Sequence, residues 1–66
     1  MSETKIKPTI IKISGPPGGF KSTICLQIER WAATQGERVY INEEDGAYES
    51  GSKSARFHIY TKQTTN

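Results

Sequence analysis

Three short runs of the chain alternate apolar residues with a period of two, and one longer run between the first two repeats near every 3.6 residues. That ordering predicts three strands and a helix. In the opening run, Thr9 to Ser14, Ile11 and Ile13 share one face while Ile10 and Lys12 share the other. Pro8 cannot donate to a ladder and suits a strand start, with Ile6 a candidate for opening the strand before it. From Lys21 to about Gln35, the residues Ile24, Ile28, Trp31, Ala32 and Gln35 recur at helical spacing, and all but Gln35 are apolar. They predict the stripe that lies on the sheet. Leu26 falls off that stripe, so the buried arc is either wide or leaves Leu26 exposed. Gly36 suits a left-handed stop after the last turn. Arg38 to Asn42 alternates Val39 and Ile41 against Tyr40, and Arg56 to Lys62 alternates Phe57 and Ile59 against His58 and Tyr60. Between them, Glu43 to about Ala55 is rich in Gly, Ser and acids and reads as a surface loop.

A helix between two strands predicts a parallel βαβ crossover. The expected architecture is therefore α/β: a small two-layer βαβ(β) unit of about three strands, with one helix on one face. It forms a single domain over residues 1–66, with 1–5 and 63–66 frayed. No second helix is present to carry a crossover to the third strand, so an antiparallel return is the cheaper expectation there. Ile11, Ile13, Val39, Ile41, Phe57 and Ile59 form the side for the helix to cover. Ile10, Lys12, Tyr40, His58 and Tyr60 form an aromatic and basic side with nothing in the chain to cover it.

Size changes the picture by limiting stability. A core built from 66 residues seldom supplies more than about 3–5 kcal/mol net. Cys25 is the only cysteine, so no disulfide helps; it reads as a small buried hydrophobe. The polar amino end carries no apolar run, which argues against a signal peptide or membrane span and predicts a cytoplasmic setting. The net charge of +2 is too small to indicate nucleic-acid binding by itself.

The candidate chemistry sits between the first strand and the helix, in Gly15-Pro16-Pro17-Gly18-Gly19-Phe20-Lys21-Ser22-Thr23. A helix N-terminus leaves N–H groups unpaired and partly positive, which favours an anion. Glycines ahead of it let successive amides curl into a nest without Cβ clashes. The phosphate-loop pattern is G-x-x-x-x-G-K-[ST]. Here Gly15, Lys21 and Ser22 fall on register, and the second glycine is replaced by Phe20. In this reading Gly15, Gly18, Gly19, Phe20, Lys21, Ser22 and Thr23 cradle the phosphates of ATP or ADP. Lys21 reaches the β- and γ-phosphates, and the Ser22 hydroxyl takes a place on Mg²⁺. A parallel second strand would end on the same edge, delivering Glu43, Glu44 and Asp45 beside the phosphate.

From Ile10 to Asp45 the chain resembles the P-loop NTPases, and among them the RecA-type ATPases. The resemblance rests on Ile11 to Gly18 leading into Lys21-Ser22-Thr23, on Leu26-Gln27-Ile28, and on Gly36 to Ile41 ending at Glu43-Glu44. It implies that Glu43 or Glu44 orients an attacking water, and spacing does not choose between the two. Some phage-type recombinases of that family also carry Phe directly before the P-loop lysine. The chain is too short for a whole RecA-type core, and no Walker B aspartate follows Phe57-His58-Ile59-Tyr60. No arginine finger is assignable; Arg56 is a conceivable donor, although strand-end arginines are usually solvated. The expectation is a nucleotide-binding protein with weak or no hydrolysis on its own. The alternative is a phage- or plasmid-type accessory protein without enzymatic activity. It would act through a homodimer, a protein partner or, more weakly, a nucleic acid on the face carrying Lys12, Tyr40, His58 and Tyr60.

Overall fold

A computed structural model describes residues 7–64. The elements in chain order are β1 (Thr9–Gly15), α1 (Lys21–Thr34), β2 (Val39–Glu43), β3 (Tyr48–Ser50) and β4 (Phe57–Gln63). The strands form one mixed sheet in the order β1-β4-β2-β3. The last strand is thus central: β4 runs parallel to β1, with Ile11 beside Ile59, and parallel to β2, with Ile41 beside the same residue.

Two expectations are corrected here. The acidic stretch after β2 is not all loop, because Tyr48–Ser50 pairs antiparallel with β2. The strand from Phe57 is parallel, not an antiparallel return. The two corrections have one cause. β3 makes the return journey that a crossover helix would otherwise make, so the chain reaches the start of β4 already facing the right way. The turn that permits this holds Glu44 and Asp45 at positive φ (51° and 56°), followed by Gly46 at 96°. Left-handed residues at the centre of a tight turn match the twist of the flanking strands. The Gly46 N–H closes the turn by donating to the Glu43 carbonyl at 3.1 Å. Gly51 then carries the chain past the start of β2 at φ +89°, where a Cβ would lie 2.3 Å from the Val39 carbonyl oxygen. Only glycine fits that crossing.

The sheet face expected to be apolar is the core. Cys25, Ala32, Val39, Ile41 and Ile59 are buried together, with Ile11, Ile13, Ile28 and Phe57 packed against them. Cys25 is a buried free thiol. The helix meets the sheet along part of the expected stripe, with Ala32 buried and Ile28 against the core, but its contact line is turned toward Cys25. Its buried residues are Lys21, Cys25 and Ala32, while Ile24 is 42% and Trp31 52% exposed and Gln35 is also exposed. Small side chains at Cys25 and Ala32 let the backbone approach the sheet closely, which larger residues at the contact line would prevent. Trp31 keeps one edge on the sheet, its ring 5.6 Å from that of Phe57. Leu26 is exposed.

The helix ends as expected. Gly36 takes φ +74°, the Glu37 N–H donates to Ala32 O at 2.9 Å, and the Gly36 N–H donates to Ala33 O at 3.0 Å. These are the paired bonds of a left-handed glycine stop. Gln63 was expected to fray, yet it belongs to β4, and the Thr64 N–H beyond it donates to Gly15 O at 2.8 Å. The expectations for residues 1–5, for Ile6 and for 65–66 lie outside the described residues. No helix among the described residues is long and apolar enough to cross a membrane.

Candidate functional site

The link from β1 to α1 is stiff at its start and strained at its end. Pro16 and Pro17 fix φ and bring no N–H. Gly18 follows at φ +76°. The Gly19 N–H donates to Pro16 O at 3.0 Å, and a Cβ at Gly19 would sit 3.0 Å from that same oxygen. Phe20, in the N-cap position, takes the left-handed conformation (φ 66°, ψ 23°). Phe20 is 73% exposed and stands in the wall of the hollow at this end of the helix. The first helical bond runs from the Ile24 N–H to Phe20 O at 2.9 Å. No side chain caps the helix and no acid lies in its first turn. The N–H groups at that end therefore have no side-chain capping acceptor among the described residues. Gly18 to Thr23 line an open hollow of about 310 Å³ there.

Lys21 is the unusual residue of this region. It is only 8% exposed, and its ammonium folds back into the turn, donating to Gly15 O at 3.2 Å and Pro16 O at 3.0 Å. Its stem passes Gly15, where a Cβ would be 3.6 Å from the Lys21 Cγ. Both partners are neutral carbonyls. Buried ammonium groups are ordinarily matched by an anion, and the ion pair found among the described residues joins Arg56 to Glu37 instead.

Because β1 and β2 both run parallel to β4, their ends share one sheet edge, and the acids after β2 arrive beside the turn. Glu43 is the one that reaches it: the Ser22 hydroxyl donates to Glu43 Oε1 at 3.0 Å. Glu44 points elsewhere. Its N–H donates to Thr61 Oγ1 at 3.1 Å, and that hydroxyl lies 3.5 Å from Glu44 Oε2. Asp45 lies on the other side of the sheet, in a groove with Lys12 and Lys62. Geometry thus separates two acids that spacing leaves equivalent. Thr61, 2% exposed, is the residue that sequence reasoning missed. Its signal was the alternation itself, since it is the third inward position of β4 after Phe57 and Ile59. Arg56 sits at the start of β4, the edge opposite the glycine turn, and its guanidinium is 3.9 Å from Glu37. It is not brought near Lys21.

Burial raises the Cys25 thiol above its ordinary value, and the negative charge of Glu43 adds to the effect. The thiol is accordingly a neutral packing group. Among the described residues no cluster of three or more His, Cys, Asp or Glu could hold a metal by itself.

The opposite sheet face departs from expectation. The segment after Gly51 closes over part of it, so that Tyr40 is 3% and His58 8% exposed. His58 Nε2 lies 3.0 Å from Lys53 O, the Lys53 ammonium is 5.9 Å from the centre of the Tyr40 ring, and Tyr40 packs edge-on against His58 and Tyr60. The aromatic cluster is a second, smaller core rather than an uncovered surface. Ile10 and Lys12 remain exposed, and Tyr60 is half-buried. No protein-family model, curated protein or solved structure matches the chain.

Proposed function

We propose that residues 15–23 bind the phosphate chain of ATP or ADP, and that turnover by this chain alone is weak or absent. The observation that carries the reading is the state of Lys21: a nearly buried cation, held by two neutral carbonyls, at the mouth of an uncapped helix N-terminus. An anion entering the hollow would meet first-turn amides, the helix dipole and this ammonium together. Lys21 would exchange the Gly15 and Pro16 carbonyls for phosphate oxygens. Both sets of bonds have a charged donor, but only the phosphate oxygens also bring the negative charge that a buried ammonium lacks here.

The donor set also suits Mg²⁺ bound with the nucleotide. Mg²⁺ usually takes one or two protein oxygens and completes its shell with phosphate and water. Ser22 and Glu43 stand side by side as such a pair. When bound, the ion would offset phosphate charge. Glu43 is the acid within reach for this or for orienting a water, whereas Glu44 is engaged with Thr61. Phosphoryl transfer depends on charge stabilisation around the whole transition state, and Arg56 lies at the opposite edge. Binding without efficient turnover follows. The alternative of docking through the Lys12, Tyr40, His58 and Tyr60 face loses two of its four residues to burial.

Calorimetry with Mg-ATP and Mg-ADP on the intact chain and on Lys21→Ala tests the proposal. Binding heat is expected from the wild type and at least tenfold weaker affinity from the variant. Ligand at a hundredfold over its Kd should stabilise the wild type by about 2.7 kcal/mol. No heat from the wild type at millimolar nucleotide would end this reading.

A further inference from the structure

β1 is an edge strand of seven residues. Its backbone polarity follows from its two ends: the Thr9 N–H donates to Arg56 O, and Gly15 O accepts from the Thr64 N–H. Both ends face β4, so the odd-numbered residues turn their N–H and C=O groups inward. The alternation of a strand then turns those of Ile10, Lys12 and Ser14 outward. No backbone partner for these groups is present among the described residues. Natural edge strands are commonly blunted by being short, bulged or covered, or by a charged side chain, lysine above all. This one is long, and the one charge on it is Lys12.

The two sides of that edge differ. On the helix side, Ile11 and Ile13 are half-buried. Glu29 and Ala33 line a hollow with Val39 on the β2 flank of the helix, so Ile24 and Trp31, on the opposite side of its turn, lie on the flank nearer β1, both about half exposed. On the other side a groove of about 240 Å³ runs along β1 and β4, lined by Lys12, Ser14, Tyr60 and Lys62, with Asp45 as its acid. A strand added here would place alternate residues beneath Ile24 and Trp31 and the intervening ones beside Lys12.

We infer that the free edge of β1 receives an extended segment of a partner protein, with apolar residues alternating with acidic ones. Backbone bonds to Ile10, Lys12 and Ser14 would supply the affinity, and the two unlike sides would supply the choice of sequence. Lys12 is what selects the partner. A second copy pairing antiparallel about the strand centre sets one Lys12 against the other, and like charges directly opposite are destabilising. An acid at that position is favourable. This inference uses no residue of the glycine hollow and does not depend on nucleotide binding.

The test is an amide NMR titration of the intact, isotopically labelled chain with the synthetic peptide acetyl-Thr-Val-Glu-Val-Glu-Val-Thr-amide. Shifts are expected at the Ile10, Lys12 and Ser14 amides and at the Trp31 indole. A peptide with Lys in place of both Glu should bind the wild type roughly threefold to tenfold more weakly, and Lys12→Glu should reverse the preference. Ile10→Pro, which removes an outward N–H not used by the fold, should abolish binding of either peptide. Should that variant fail to fold, N-methylation of the peptide backbone supplies the same block on the wild type. No shift at the outward amides with millimolar peptide overturns the inference, and so does equal binding of the two peptides. Concentration-dependent shifts at the same amides without peptide would assign the edge to a second copy and overturn the stated partner.

Discussion

Phe20 is held in a backbone conformation that costs an L-residue roughly 1–2 kcal/mol, with its ring mostly in water. No core packing offsets that cost. Phe20→Gly is expected to stabilise the chain by about 0.5–1 kcal/mol, the relief of strain less the entropy a glycine adds to the unfolded chain. The check is a higher urea midpoint at unchanged slope. The pattern of glycines and Lys21 was legible in the sequence because it follows backbone stereochemistry, which is local. That Glu43 and not Glu44 meets Ser22 was not legible, since a hairpin turn at Glu44 decides it. Cys25 gives a second test at this scale. Its folded-state thiol titrates above the ordinary value of 9.0, so the neutral form is the one the fold favours. Its contribution is full below pH 9 and is lost as pH rises through the folded value. Unfolding free energy should therefore fall more steeply above pH 9 in the wild type than in Cys25→Ala, measured by denaturant titration across that range.

At the scale of elements, the helix and the strands on either side of it could be read directly from periodicity. The helix stop at Gly36 and the apolar members of each strand face also stand where the pattern put them. The stripe on the helix stands in part: Ala32 is buried and Ile28 packs against the core, whereas Ile24 and Trp31 give way to Cys25, which hydrophobicity alone ranks below them. Close approach to a sheet rewards small volume on the contact line, and tertiary packing chose the smaller residue. β3 was hidden for a different reason. Tyr48-Glu49-Ser50 is too short for alternation to register, and its pairing is fixed by the turn before it rather than by its own residues.

For the molecule as a whole, Ile59 is the point where the layers meet. It is fully buried on the central strand, beside Ile11 on one neighbour and Ile41 on the other. Ile59→Ala is expected to cost about 2–5 kcal/mol. Since a core this small rarely supplies more than about 3–5 kcal/mol, the variant should lose its cooperative melt by circular dichroism at 25 °C. A conserved-volume change such as Ile59→Leu should keep it, at a cost below about 1.5 kcal/mol. The same narrow margin makes ligand or partner binding visible as added thermal stability. Among the described residues one helix covers the middle of a four-stranded sheet and leaves both flanks partly open, which is why several large apolar side chains remain in water.

The amino-acid sequence by itself determined what depends on neighbours along the chain: the period of each segment, the glycine turn with its Lys-Ser register, and the helix stop. Only the tertiary structure decided what depends on residues far apart. It set β4 between β1 and β2, rolled the helix onto its small residues, folded the 51–56 segment over Tyr40 and His58, and paired Ser22 with Glu43. Local order follows from steric limits on a few adjacent dihedrals. The placement of β4 follows from a competition among burial, backbone pairing and chain closure that no single segment encodes.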